Sequence, residues 1–147
     1  MRLRRPEGEE LPLLSELCLR SKAVWGYDPA FLDACRVELT IRVEELECTS
    51  LCVAEQDNAF VGVAQISVDG AAADLQKLFV EPKAIGLGVG SALFAWAVLT
   101  ARDLGARCMT IDADPGAVGF YKKMGAVERG AAPSGSIPGR MLPRLQI

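Results

Sequence analysis

Histidine is absent from this sequence of 147 residues. A chain without histidine has no Ser-His-Asp or Cys-His triad, no HExxH zinc site, and no imidazole that exchanges protons near neutral pH. Any chemistry that the protein performs must therefore use carboxylates, tyrosine, cysteine, lysine or backbone dipoles.

The sequence also lacks an excess of positive charge and a long apolar run. Its 16 Lys and Arg residues face 19 Asp and Glu residues, so the net charge is -3 at pH 7. Because a phosphate backbone is bound by a basic surface, we expect no nucleic acid as the main partner. No uncharged run reaches the roughly 18 residues of a membrane span, and the basic start has no apolar signal segment behind it. We expect no membrane partner and a cytoplasmic location.

The five cysteines form no ligand pattern. Cys48 and Cys52 are four residues apart, and no second pair of Cys or His residues accompanies them. We therefore expect no metal site. Free thiols in a reducing compartment are the better interpretation, and no adjacent cation lowers a thiol pKa to make a nucleophile.

Half of the residues are hydrophobic, which at this length predicts one domain over residues 1–147 with a sizeable core. Periodicity and turn residues predict the order β, α, α, β, β, β, α, β, α, β, β, an α+β layout. The predicted elements are a strand at 1–5, helices at 9–22 and from Pro29 through Leu39, strands at 50–55, 59–68 and 72–80, a helix ending near Leu104, a strand at 108–113, a helix at 114–124, and a hairpin near 126–130 and 140–145.

A cluster of glycines precedes the long apolar helix that ends near Leu104. Gly86, Gly88 and Gly90 stand at every second position, where they permit positive φ and leave no side chains to block an anion at the helix start. The alternative is that the glycines only allow the helix to pack closely on the sheet. A Walker loop is excluded because no Lys follows, and a dinucleotide fingerprint fits poorly because Ser91 stands where its third glycine belongs, although Asp112 could be a ribose-binding acid.

Two motifs around this cluster resemble the GNAT superfamily of N-acetyltransferases. The first is Val80-x-Pro82 followed by Gly86-x-Gly88-x-Gly90-Ser91-x-Leu93, and the second is Asp114-Pro115-x-Ala117-x-x-Phe120-Tyr121-x-Lys123-x-Gly125-Ala126. They occur in the family's order, with the expected elements between them, and the resemblance covers about residues 51–127. It implies a GNAT-like acyl-CoA N-acyltransferase fold, with a mixed sheet of about six to seven strands flanked by four helices.

The resemblance also implies the residues that hold acetyl-CoA. Main-chain groups of Leu78, Phe79 and Val80 would contact the pantetheine arm and the acetyl carbonyl, and the backbone amides of the loop would hold the pyrophosphate. The cofactor-binding set is Leu78, Phe79, Val80, Ile85, Gly86, Leu87, Gly88, Val89, Gly90, Ser91, Asp114, Ala117 and Phe120. Ile85 replaces the usual Arg or Gln, so the loop would rely on amides, with Lys83 nearby. Asp114 replaces the usual Asn and loses its amide donor.

By the same resemblance, Tyr121 is the catalytic proton donor to the CoA sulfur; packing alone is the alternative for this side chain. A phenol with an ordinary pKa near 10 is a reasonable acid for a thiolate. A general base is harder to assign. Asp74, Glu55 and Glu81 lie on or beside central strands but are typical strand-end charges, so attack by an already neutral amine or through water stays open.

The acceptor amine is expected beside the turn between the first two helices. Trp25, Tyr27 and Asp28 could form an aromatic, acidic-edged pocket for a cationic amine. The alternative is that Trp25 and Tyr27 fasten the turn to the sheet. The segment 134–140 predicts a mobile loop, and an added strand or exposed hairpin could produce a homodimer.

The sequence thus favours an acetyl-CoA-dependent N-acetyltransferase that acts on a small-molecule or protein amine by direct attack in a ternary complex. A non-catalytic acyl-CoA-binding module would keep the glycine loop without a working acceptor pocket. A nucleotide-dependent enzyme using the same loop is the third interpretation.

Overall fold

A computed structural model describes residues 1–147, in which one seven-stranded sheet separates two layers of helices. The elements are β1 (Arg2–Arg4), α1 (Leu11–Ala23), α2 (Pro29–Leu39), α3 (Glu45–Cys48), β2 (Ser50–Gln56), β3 (Ala59–Asp69), β4 (Ala72–Val80), α4 (Val89–Asp103), β5 (Cys108–Asp112), α5 (Val118–Lys123), β6 (Val127–Pro133) and β7 (Met141–Gln146). Short 3-10 turns occupy Gly8–Glu10, Pro82–Ala84 and Pro115–Ala117.

This architecture confirms the predicted mixed sheet and the predicted order of its elements. Two details differ. The four-residue α3 was not predicted, because its acidic segment has no apolar stripe, and the last predicted helix begins as a 3-10 turn before α5. The final hairpin is longer than expected, since β6 runs to Pro133. No helix has both the length and the apolar character that crossing a membrane requires.

The strand order is β1-β2-β3-β4-β5-β7-β6, and only the β4–β5 pair is parallel. Alternating residues of the central strands supply both layers of the core. Leu51 and Val53 of β2 pack with Leu14 and Leu17 of α1, whereas Cys52, on the opposite face of β2, packs with the α4 side. The sheet therefore has an α1/α2 face and an α4/α5 face.

A β-bulge in β4 changes which side chains reach each face. Gln65 pairs with Lys77 and Ile66 pairs with Leu75, so Gln76 has no partner on β3. Before the bulge, Leu75 packs with the α4/α5 core, whereas Phe79 packs against the α1/α2 core after it. The extra residue thereby turns Lys77 and Phe79 toward α1 and α2.

The parallel pairing of β4 with β5 ends early. The last pair is Leu75 with Ile111, yet β4 continues to Val80. The two strands consequently separate over residues 76–80 of β4, and a cleft opens between them in the middle of the sheet.

Gly62 marks a point where α4 approaches the sheet too closely for a side chain. A Cβ atom there would lie 2.7 Å from Leu93 Cδ1, 2.8 Å from Val89 Cγ1 and 3.2 Å from the Phe79 carbonyl oxygen. We expect Gly62→Ala to lower the free energy of unfolding by about 1–3 kcal/mol, as overpacking does. Urea unfolding followed by circular dichroism measures the change.

Gly119→Ala is the matched control, because no atom lies within 4 Å of its Cβ position and Gly119 is in α5. Its higher helix propensity predicts a gain of up to about 1 kcal/mol. Equal stability of the two variants would contradict the close approach of α4 at Gly62.

Candidate active site

The cleft between β4 and β5 is the candidate active site. It encloses about 140 Å³ and is walled by α1, α2, the turn before α5 and the β6–β7 loop. The predicted residues that line it are Trp25, Leu78, Phe79, Asp114, Ala117 and Tyr121. The predicted Val80, the loop at 85–91, Phe120, Tyr27 and Asp28 lie outside its lining.

The glycine loop forms a left-handed turn at the start of α4. Gly86 has φ of +85° and Gly88, the N-cap, has φ of +87°, and no atom lies within 4 Å of a Cβ at either position. The first N–H groups of α4 have no partner within the helix, and together with the helix dipole they favour an anion there. Ile85 and Leu87 are exposed beside the turn.

Gly90 has a different role from the other two glycines. Its φ is not positive, and a Cβ there would lie 3.4 Å from the Phe120 ring and 3.6 Å from Val80 Cγ2. Phe120 in turn meets Phe94 and Tyr121 edge-on, at centroid distances of 6.3 and 5.2 Å. A Cβ at Gly90 would make ordinary van der Waals contact with Phe120 and Val80, so packing alone does not require a glycine at this position.

Backbone amides of β4 face the cleft beyond the bulge. The Val80 N–H points away from β3 and donates to Ser21 Oγ of α1 at 3.3 Å. Because strand residues alternate, the Leu78 N–H has the same orientation, at a position where β5 no longer pairs with β4. This amide is a donor available to a carbonyl oxygen in the cleft.

Tyr121 lines the cleft but is only 7% exposed. Burial alone raises the pKa of its phenol well above the ordinary value; no charged group or hydrogen bond contributes. The phenol therefore stays protonated at neutral pH and above, so Tyr121 can donate a proton or a hydrogen bond, but it cannot serve as a base there.

Asp114 is held by contacts within the protein. Its Oδ1 accepts from the Gly116 N–H at 3.0 Å and its Oδ2 accepts from the Tyr27 hydroxyl at 2.6 Å. Lys22 Nζ and Arg140 Nη2 lie 3.5 and 3.7 Å from the same Oδ2. Both carboxylate oxygens are thus already in use, although the resemblance assigned Asp114 to the cofactor.

The three predicted acceptor residues have separate roles. Trp25 lines the cleft and packs on Gly116, whose Cβ would lie 2.7 Å from Trp25 Cε3. Tyr27 stacks on Phe31 with ring centroids 4.0 Å apart. Its hydroxyl donates to Asp114, but Tyr27 itself does not line the cleft. Burial, followed by the neighbouring Asp114 carboxylate, raises the Tyr27 pKa. Asp28 caps α2 by accepting from the Phe31 N–H at 2.8 Å.

None of the carboxylates considered as a base enters the cleft. Arg4 holds Glu55 at 2.8 Å and lowers its pKa, and Arg20 holds Glu81 at 2.6 Å. Asp74 lines an adjoining polar groove instead. Glu38 of α2 lines both the cleft and that groove, and it accepts a hydrogen bond from the Ser136 hydroxyl.

Lys77 was missed by the sequence analysis. The residue lines the cleft although it is only 7% exposed, and its Nζ donates to Gln65 Oε1 at 3.0 Å. Gln65, fully buried, donates through Nε2 to Thr49 Oγ1 at 3.0 Å. The available signal in the sequence was a Lys within a central strand. The face of the sheet toward which its side chain points depends on the bulge at Gln76, which the residue pattern does not reveal.

The segment 134–140 contributes Ser134, Ser136 and Arg140 to the lining of the cleft. Ser134 Oγ accepts from the N–H groups of Ser136 and Ile137, and Arg140 Nη2 donates to the Tyr27 hydroxyl at 2.6 Å. The loop therefore forms a wall of the cleft.

All five cysteines are free thiols, as predicted. Burial raises the pKa of Cys18 to about 12 and that of Cys52 to about 11. Such thiols remain protonated and are poor nucleophiles.

A family profile described as an acetyltransferase (GNAT) domain matches residues 47–125. No curated protein matches the chain in sequence. Among solved structures, PaiA N-acetyltransferase from Thermoplasma acidophilum in complex with coenzyme A is 16% identical, with a TM-score of 0.83 and coverage of 99% of this chain and 96% of that one.

Two further structures share the fold. A GCN5-related N-acetyltransferase from Rhodopseudomonas palustris is 23% identical, with a TM-score of 0.80 and coverage of 99% and 93% of the two chains. YncA from Salmonella typhimurium with its cofactor acetyl-CoA is 18% identical, with a TM-score of 0.70 and coverage of 100% and 92%.

The buried contact between Lys77 and Gln65 generates a stability prediction. We expect Gln65→Met to cost about 2 kcal/mol, because it removes the acceptor of a buried ammonium group. The double variant Gln65→Met with Lys77→Met should recover most of this loss, since it removes the charge as well. Urea denaturation of the wild type, the two single variants and the double variant measures the coupling energy between the two side chains. If Gln65→Met costs as much stability in the Lys77→Met background as in the wild type, this prediction is contradicted.

Proposed function

Because the chain belongs to the GNAT acetyltransferase family, we propose that it transfers the acetyl group of acetyl-CoA to the amine of a small molecule or protein, by direct attack within a ternary complex. The observation that carries this proposal is the separation of β4 from β5 next to the glycine turn at the N-terminus of α4 and the buried phenol of Tyr121. In this proposal the three features would supply amides for the carbonyl, a site for the pyrophosphate and a proton donor.

The chain's own groups fit acetyl-CoA. The left-handed glycine turn has no side chain in the path of a pyrophosphate, which suits the amides at the start of α4. From there the pantetheine arm would follow β4 into the cleft. The Leu78 N–H would polarise the acetyl carbonyl, as donors do where negative charge develops. Ser21 would release the Val80 N–H to the arm.

In the reaction, the amine nitrogen attacks the thioester carbonyl carbon, the C–N bond forms and the C–S bond breaks. Tyr121 is proposed as the group that gives a proton to the departing sulfur, because its protonated phenol opens on the same cleft. The attacking nitrogen loses one proton as the amide forms.

The amine would approach along the wall formed by α2 and the β6–β7 loop. Two of the three carboxylates in the cleft lining are held by cations, since Arg144 holds Asp112 at 2.8 Å and the Lys22 and Arg140 cations flank Asp114. Glu38 has no cation within 4 Å, and its carboxylate accepts a hydrogen bond from the Ser136 hydroxyl. We therefore propose that Glu38 binds the incoming amine and accepts the proton that its nitrogen loses.

Binding of the cosubstrate can be tested apart from turnover. We expect acetyl-CoA, but not NAD or ATP, to raise the melting temperature, because a ligand at 100 times its Kd stabilises the folded state by about 2.7 kcal/mol. Gly88→Ala should abolish the shift by straining the turn. Gly70→Ala, which also replaces an unobstructed glycine of positive φ, should keep it. Stabilisation by NAD or ATP alone would overturn the proposal.

Turnover tests the role of Tyr121. We expect Tyr121→Phe to lower kcat about 10²-fold while the Kd for acetyl-CoA stays unchanged, because the substitution removes only the proton donor. Thiol release across a panel of amines gives kcat, and isothermal titration gives Kd. Since burial raises the phenol pKa, wild-type kcat should show no loss from tyrosine ionisation as the pH rises toward 10.

An unchanged kcat in Tyr121→Phe would remove the phenol from the mechanism. Acetyl-CoA binding without thiol release for any amine would favour the non-catalytic acyl-CoA-binding module, which would keep the glycine turn.

A further inference from the structure

Four polar side chains from distant parts of the sequence converge where the wall of the cleft closes. They are Lys22 at the end of α1, Tyr27 in the α1–α2 segment, Asp114 before α5 and Arg140 in the β6–β7 loop. We call this group the clasp. Lys22, Asp114 and Arg140 line the cleft, so the clasp is part of its wall.

Asp114 Oδ2 is the centre of the clasp. Tyr27 Oη donates to it at 2.6 Å, and the same Tyr27 oxygen accepts from Arg140 Nη2 at 2.6 Å. Lys22 and Arg140 are the two cations nearest to this oxygen. The side chains of Lys22, Asp114 and Arg140 are only 15%, 11% and 20% exposed, so solvent screens their charges weakly.

Aromatic rings extend the same contact. Tyr27 stacks on Phe31, and the Arg140 guanidinium lies 5.1 and 4.9 Å from the two ring centroids. On the other side, the Trp25 ring covers Gly116 and leaves no room for a side chain there. The α1–α2 segment is thus joined twice to the turn at 114–116, through Trp25 and through Tyr27.

We propose that Asp114 is a positioning residue that acts through the clasp to preform the acceptor wall of the cleft, an inference that rests on the proposed function. The negative charge of Asp114 holds together two cations that would otherwise repel each other. Without this charge, the α1–α2 segment and the β6–β7 loop separate from the turn before α5. An incoming amine must then order both segments, and that cost weakens its binding.

This role and a direct cofactor contact predict opposite results for one substitution. Asp114→Asn creates the residue that is usual in the family. If Asp114 is a weakened cofactor contact, this change tightens acetyl-CoA binding. If Asp114 anchors the clasp, the change raises the KM of the amine about tenfold while kcat and the Kd of acetyl-CoA stay within about twofold.

Trp25 supplies a readout that needs no turnover. The chain has two tryptophans, Trp25 and Trp96, so Trp96→Phe leaves Trp25 as the sole indole. Trp25 is 46% exposed while it covers Gly116. In this background, we expect Asp114→Asn to raise the acrylamide quenching constant of Trp25 about twofold, toward that of a freely exposed indole.

Tyr27→Phe is the second variant, since it removes only the bridging hydroxyl and keeps the stack on Phe31. It should reproduce both changes more weakly, and the double variant should be no worse than Asp114→Asn alone, because the two side chains share one hydrogen bond. Glu16→Gln is the control, as it breaks an exposed pair with Arg36 that also joins α1 to α2. It should leave quenching and both substrate constants unchanged.

The proposal is overturned if Asp114→Asn leaves Trp25 quenching at the control value, or if it tightens acetyl-CoA binding. Additive effects of Tyr27→Phe and Asp114→Asn would also overturn it. If the wild type turns over no amine, the proposed function fails. Trp25 quenching and acetyl-CoA affinity then still decide whether Asp114 holds the α1–α2 segment in place.

Discussion

The separation of β4 from β5 is the constraint on which the other features of the site depend. A sheet that stayed paired to the end of β4 would satisfy its backbone groups internally and would have no cleft. Here the pairing stops at Leu75 and Ile111, and the bulge at Gln76 follows at once. The edge that results leaves amides of β4 unpaired by β5 on the side of the cleft, while the surrounding helices supply the side chains.

Charge in the cleft is largely neutralised by the protein itself. Asp112 is taken by Arg144 and Asp114 by the clasp, while the Lys77 ammonium has only a neutral acceptor. This division leaves Glu38 as the cleft carboxylate without a cation partner, which agrees with a proposed reaction that uses backbone donors, one phenol and Glu38. The absence of histidine is therefore consistent with the proposed acetyl transfer, because none of its steps requires an imidazole.

The sequence could predict those features that depend on local residues. The glycines of the turn and the order of the elements along the chain follow from turn chemistry and periodicity, and the two motifs point to Tyr121. The face of the sheet toward which Lys77 points could not be predicted, because the unpaired Gln76 in β4 exchanges the faces of the residues that follow it. The contacts of Asp114 could not be predicted either, since its partners lie 87 and more residues earlier and 26 residues later in the chain.

The hydrogen bond between Tyr27 and Arg140 spans 113 positions of the chain, and it has a consequence for biosynthesis. β5 has β4 on one side and β7 on the other, so during translation it waits with an open edge until β7 has left the ribosome. The wall of the cleft is completed at the same late stage, when Arg140 has been synthesised. A nascent chain would thus acquire its glycine turn before its full cleft, and in the interval the open β5 edge could pair with another chain.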